Sequence, residues 1–122
     1  MLTIYSDDHH LHHGAAELID GTFKPCFEMP SRADMVLARA KAVNLGAIAA
    51  PREFGLDPVR RVHSEGFVRF LQNAWSDWTA LGRSHDMLPM TWPVRRLRDV
   101  EPDTIDGKLG YYSFDAGAPI TA

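Results

Sequence analysis

The chain has 122 residues, enough for one domain or for a part of a larger one. Its 45% hydrophobic content and mean hydropathy of -0.22 describe an ordinary soluble composition, neither disordered nor membranous. The formal charge of -3 lacks the basic excess of a dedicated nucleic-acid binder, and the single cysteine, Cys26, has no partner for an intramolecular disulfide. No apolar run approaches the ~20 residues of a membrane span, and the apolar start ends at Ser6, too early for a signal-peptide core. A cytoplasmic protein without nucleic-acid or membrane partners is the expectation.

Leu2-Thr3-Ile4-Tyr5 is short, β-branched and aromatic, and it reads as a strand. Residues 7–29 have little periodicity and read as a long loop punctuated by Gly14, Gly21 and Pro25. Ser31, with Asp34 three residues on, resembles a capping box opening a helix. That helix puts Ala33, Val36, Leu37, Ala40 and Val43 on one face and stops near Asn44 and Gly46. Ala47-Ile48-Ala49-Ala50, stopped by Pro51, fits a buried strand. Asp57 as N-cap and Pro58 at the first helical position predict a short helix through Val62. Ser64 then caps the clearest element, whose Phe67, Phe70, Leu71, Ala74, Trp75, Trp78 and Leu81 recur at helical steps until Gly82 ends it. From 83 to about 110, Pro89, Pro93 and Pro102 interrupt every candidate element, predicting a second long loop. Strand, helix, strand, helix predicts a parallel βαβ unit. Parallel sheets are rarely built from two strands, so the expected architecture is the front of a larger α/β domain.

His9, His10, His12 and His13 invite a metal reading, because imidazole is the commonest transition-metal ligand. Neighbouring histidines on a loop rarely point at one centre, and no cysteine or carboxylate completes an obvious tetrahedral set, so they read as a solvated polar loop. His63 reads as a structural histidine in the core, with no serine, cysteine or acid forming a triad. The helical spacing of Phe67, Phe70, Trp75 and Trp78 makes them core rather than a binding surface. Arg95, Arg96 and Arg98 are balanced by Asp99, Glu101, Asp103 and Asp106 and read as a solvated face or subunit contact. The acids of the two long loops, Glu17, Glu28, Asp99, Glu101, Asp103 and Asp106, are placed to steer a cation, and Phe23 and Phe27 to wall it.

The motifs Ile4-Tyr5-Ser6, Pro30-Ser31-Arg32-Ala33, Val62-His63-Ser64-Glu65-Gly66-Phe67, Pro93-Val94-Arg95-Arg96, Asp106-Gly107 and Gly110-Tyr111-Tyr112 stand in a characteristic order and spacing. Together they resemble the N-terminal third of the zinc-dependent deacetylases, which include histone deacetylases and acetylpolyamine amidohydrolases. The extended loop over 14–30 and the Trp75 to Trp78 helix are most similar to the bacterial acetylpolyamine amidohydrolases. The resemblance implies a parallel-sheet, arginase-deacetylase-like three-layer α/β domain, of which residues 1–122 form the N-terminal portion.

In such enzymes two aspartates and a histidine hold zinc, a histidine pair handles protons and a tyrosine polarises the acetyl carbonyl. No segment of this chain matches those motifs, and His9 to His13 do not replace them. The resemblance therefore implies no catalytic residue and no metal ligand within the chain, which alone is expected to be inactive. It implies a substrate-binding role for Glu17, Phe27 and Asp106, and a place for Arg32 beside the internal channel. Asp106 stands where glutamate is common, and Ile19 where an aromatic is expected. A small cationic acetylated amine is the implied ligand, with a homodimer formed through the 14–30 loop. Acetyl-lysine in protein is the alternative substrate on the same fold. A non-enzymatic α/β module binding a basic partner through its acidic loops is the alternative of another class.

Overall fold

The computed structural model describes every residue except Arg98, Ala118 and Ala122. Thr3–Ile4 (β1) and Ile48–Ala49 (β4) pair in parallel, Thr3 opposite Ile48 and Ile4 opposite Ala49, with the helix Ser31–Ala42 (α1) between them in the chain. The expected βαβ unit is therefore present. Asn44 at φ 48° and Gly46 at φ 134° turn the chain out of α1, and the Met1 ammonium donates to the Leu45 carbonyl at 3.0 Å.

The stretch expected to be a loop over 7–29 is largely regular. Residues Asp7–Leu11 form a 3-10 turn capped by Ser6, and Ala16–Ile19 (β2) pairs antiparallel with Thr22–Pro25 (β3). Asp20 at φ 50° and Gly21 at φ 71° form the two-residue turn between them. This is the left-handed pair that a twisted hairpin demands and that an Asp-Gly sequence supplies at low cost.

Residues Asp57–Arg60 (α2) lead into Glu65–Ala80 (α3), whose cap Ser64 accepts from the Phe67 amide at 3.2 Å. A fourth helix, Ile105–Tyr112 (α4), lies where a loop was expected. Its N-cap Thr104 accepts from the Gly107 amide at 3.2 Å, and Ile105 and Leu109 are buried against α3. Burial there outweighs the poor helix propensity of Gly107 and Gly110.

The core gathers Phe70, Ala74, Trp78, Met87, Ile105 and Leu109, with Phe67, Trp75, Tyr112 and Ile120 packed around it. Met87 and Ile120 exchange both backbone hydrogen bonds, at 2.9 and 3.1 Å, and so draw the C-terminal strand of chain under α3. Buried Trp78 donates its indole N–H to the His85 carbonyl at 2.7 Å, and the Arg83 guanidinium lies 4.1 Å over its ring.

Several expectations are corrected. Leu71 and Leu81 are exposed, because the buried stripe runs through Val68 instead. Ser31 is the first residue of α1, whose N-cap is Pro30, and its hydroxyl caps nothing. Asp57 is likewise helical, with Leu56 as the cap. The strand β4 is exposed, and α1 buries only Ala40 of its predicted face. His63 is a surface residue whose ring lies 5.0 Å from the Phe67 ring at a 41° tilt, since it sits in the turn before Ser64 and not on the buried stripe. No helix among the described residues is long and apolar enough to cross a membrane.

Candidate functional site

Glu17 lies on β2, opposite Lys24, and its carboxylate accepts the Phe27 amide at 2.9 Å and the Glu28 amide at 3.4 Å. Two backbone donors on one carboxylate fix the chain as it leaves the hairpin, in the way a charge-assisted cap fixes a helix start. The ring held at that point, Phe27, is 69% exposed. Glu17 thus acts first on Phe27, and its charge is already met by two dipoles.

Asp106, in the first turn of α4, receives both terminal nitrogens of Arg83 at 2.7 and 3.0 Å. Those donors hold its carboxyl below the usual carboxylate range. Two other acids of the second loop, Asp99 and Glu101, are held by tyrosine hydroxyls. The Tyr111 hydroxyl donates to Asp99 at 2.8 Å, and the Tyr112 hydroxyl to Glu101 at 2.7 Å. Arg69 approaches Glu101 at 3.4 Å. Burial first, and then Glu101, push Tyr112 up to about 12, so it remains a donor across the physiological range. These pairs clip the loop to α3 and α4.

Arg32 projects from the first turn of α1 and forms an ion pair with Glu28. It lines an open cavity of about 500 Å³ together with Tyr5, His9, His12 and Met29. The structure thus joins Glu17 to the Phe27 backbone and sets Arg32 a turn further along. Asp106 stands apart, and no hydrogen bond or ion pair among the described residues links it to Glu17, Phe27 or Arg32. Arg95 lies 4.3 Å over the Tyr111 ring and donates to the Tyr111 carbonyl, whereas Arg98 of the same cluster lies outside the described residues.

One cluster escapes a reading of local sequence. His9 and His10 reach the carboxylate of Asp34, on the first turn of α1, at 3.0 and 3.3 Å. These three residues can surround an ion. Asp7 and Asp8 adjoin the histidines in sequence, but the carboxylate that the ring nitrogens face is Asp34, and only folding brings it there. His9 is held above the ordinary imidazole value, first by its bond to the Ser6 carbonyl and further by Asp34.

The chain is 79% identical over 122 residues to acetylpolyamine amidohydrolase 2 of Pseudomonas aeruginosa, covering 100% of this chain and 36% of that protein. It is 56% identical to acetylpolyamine amidohydrolase 1 of the same organism, again over 36% of the relative, and 38% identical over 112 residues to the acetylpolyamine amidohydrolase of Mycoplana ramosa. Along its whole length the chain is homologous to part of these acetylpolyamine amidohydrolases. It spans about a third of the length of those relatives. The crystal structure of an acetylpolyamine aminohydrolase from Burkholderia pseudomallei superposes with a TM-score of 0.88 at 22% identity, covering all of this chain and 35% of that one. At that identity the likeness establishes the fold, and it agrees with the expected α/β architecture. No protein-family model matches the chain.

The likeness to acetylpolyamine amidohydrolases brings a zinc ligand set of two aspartates and a histidine into consideration. The residues present do not fit it. Among the described residues the group able to surround an ion holds two histidines and one aspartate, on segments that match no zinc motif of the family. The acid–tyrosine clips at Asp99 and Glu101 were also beyond a sequence reading, which sees the charges but not the hydroxyls that cover them.

Proposed function

We propose that the chain is the N-terminal part of a zinc-dependent amidohydrolase that removes acetyl groups from acetylated polyamines or similar small amines. The observation that carries this reading is the match, along the whole chain, to relatives bearing that name. Within such an enzyme this part supplies surface and not chemistry. Glu17 presents Phe27 as a fixed aromatic wall, against which an ammonium is attracted by the ring face. Arg32, paired with Glu28, borders the cavity in front of α1. Asp106 meets the distal ammonium of the substrate by exchanging part of its hold on Arg83. The 14–30 segment, ordered as a hairpin, is the element through which two copies associate, in a cytoplasmic homodimer.

The partnered state of Asp106 sets the size of its effect. A carboxylate already met by a guanidinium adds less to cation binding than a bare one, because the gained attraction is offset by the pair it weakens. In a full-length parent, Asp106→Asn is expected to raise KM for N-acetylputrescine severalfold more than KM for an uncharged acetyl-amide, with kcat little changed. Identical kinetics of wild type and variant on both substrates would remove Asp106 from the site. Residues 1–122 alone are expected to release no acetate from N-acetylputrescine with zinc present, and zinc-dependent turnover by that purified chain would overturn the reading.

A further inference from the structure

The 3-10 turn over Asp7–Leu11 places each ring three residues past a carbonyl that it can reach. His9 Nδ1 lies 2.8 Å from the Ser6 oxygen, and His10 Nδ1 lies 3.0 Å from the Asp7 oxygen. A carbonyl oxygen only accepts, so both Nδ1 atoms carry the proton. A neutral imidazole has one N–H, which leaves both Nε2 atoms bare. Yet these bare nitrogens point at the two oxygens of Asp34, at 3.0 and 3.3 Å. Lone pairs facing a carboxylate repel.

Two arrangements relieve this. Both rings can take up a second proton, but their centroids are 3.9 Å apart and one carboxylate then faces two imidazolium charges. Asp7 offers incomplete relief, because the Tyr5 hydroxyl already donates to it at 2.8 Å. Alternatively a cation sits among the three side chains and takes both Nε2 lone pairs and the carboxylate charge at once. A metal-binding histidine usually fixes its free N–H on a backbone carbonyl or a carboxylate, and both rings have that anchor here. The nitrogen–oxygen separations are also those of a ligand polyhedron, whose tetrahedral edge is about 3.3 Å for metal–ligand bonds of about 2.0–2.1 Å.

We propose that His9, His10 and Asp34 form a site for a first-row divalent cation, bound through the two Nε2 atoms and the Asp34 carboxylate with a remaining position open to water. The donor set selects the class: imidazole with one carboxylate suits Zn²⁺, Co²⁺, Ni²⁺ or Cu²⁺, whereas Mg²⁺ and Ca²⁺ require mostly oxygen. Such an ion joins the turn after β1 to the first turn of α1, beside the cavity that His9 lines. This inference does not depend on the deacetylase reading.

The test is a Co²⁺ titration of the chain near neutral pH, followed by d–d absorption, with Zn²⁺ competition against a chromophoric chelator. One equivalent is expected to bind in the micromolar range or tighter. Asp34→Asn and His10→Gln are each expected to weaken binding at least about tenfold, whereas His12→Ala with His13→Ala is expected to leave it within about twofold. His10 is half exposed, so His10→Gln keeps the fold even if Asp34→Asn does not. Long-range ¹⁵N–¹H spectra with one equivalent of zinc should show the Nδ1–H tautomer in both rings. Absence of saturable binding, affinity unmoved by both Asp34→Asn and His10→Gln, loss of binding in the His12/His13 variant, or imidazolium signals persisting with zinc would each overturn the site.

Discussion

Around α3 and α4, six apolar residues from three stretches of chain close into a core, whereas α1 over the β1–β4 pair buries Ala40 and leaves Val36 67% exposed. Both α1 and α3 carry an apolar stripe in sequence, the one on α3 being the clearer. The difference lies in what returns to cover the stripe. The segment from Met87 to Ile120 folds back under α3, and its paired backbone hydrogen bonds and α4 complete the enclosure. Among the described residues, the short β1 and the turn after it face α1 across an open cavity. Helical periodicity thus reports that a face is meant to be covered, and says nothing of which residues cover it.

Substitutions in the two regions should differ accordingly. Trp78→Ala removes a buried ring together with its bond to the His85 carbonyl. It is expected to cost about 3–5 kcal/mol in urea denaturation, while Val36→Ser should stay within about 0.5 kcal/mol in the same chain. In a parent of the relatives' full length, Val36→Ser should become costly, and a neutral result there would mean that the α1 face is a true surface. Gly110→Ala comes next. A Cβ at that position would lie 1.8 Å from the Thr91 carbonyl oxygen, so α4 must shift, at about 1–3 kcal/mol.

Thr104→Ala should cost about 1 kcal/mol, because its hydroxyl caps α4. Ser31→Ala, which removes no cap, should be close to neutral, and equal effects would break the contrast between these helix starts. The smallest effect concerns acid. The folded carboxyl of Asp106 is held below its unfolded value by Arg83, so this contribution to stability is complete above the unfolded carboxylate range, near pH ~3.9. It is lost as pH falls through the folded value. Asp106→Asn should flatten the acid side of a plot of Tm against pH, and an unchanged slope would show that the pair is not formed in solution.

The α3 helix was legible because propensity, period and the Ser64 cap agree over sixteen residues. The β1–α1–β4 order was legible from propensity and periodicity, although the expected Ser31 cap does not form. The hairpin was not: Ala16, Glu17, Leu18 and Ile19 are all half-buried, so no alternation of apolar and polar residues marks the strand. The Asp20-Gly21 turn was the available signal. The helix α4 was hidden by its two glycines and short length, and its existence depends on tertiary burial of Ile105 and Leu109. In the candidate site, Glu17, Phe27, Arg32 and Asp106 can be named from a resemblance, but their partners cannot. The carboxylate facing His9 is 25 residues distant in sequence, and no local spacing encodes that approach.

Cys26, just past β3, is 5% exposed, and a Cβ on Gly14 would come within 2.9 Å of its sulfur. Burial pushes its thiol up, and the Glu17 and Asp86 carboxylates push in the same direction. Since thiolate is the reacting species, alkylation of the closed form is slow on both counts. An iodoacetamide reaction at this position therefore proceeds through transient opening of the hairpin, and its rate serves as a built-in clock for that motion, with no label to be introduced.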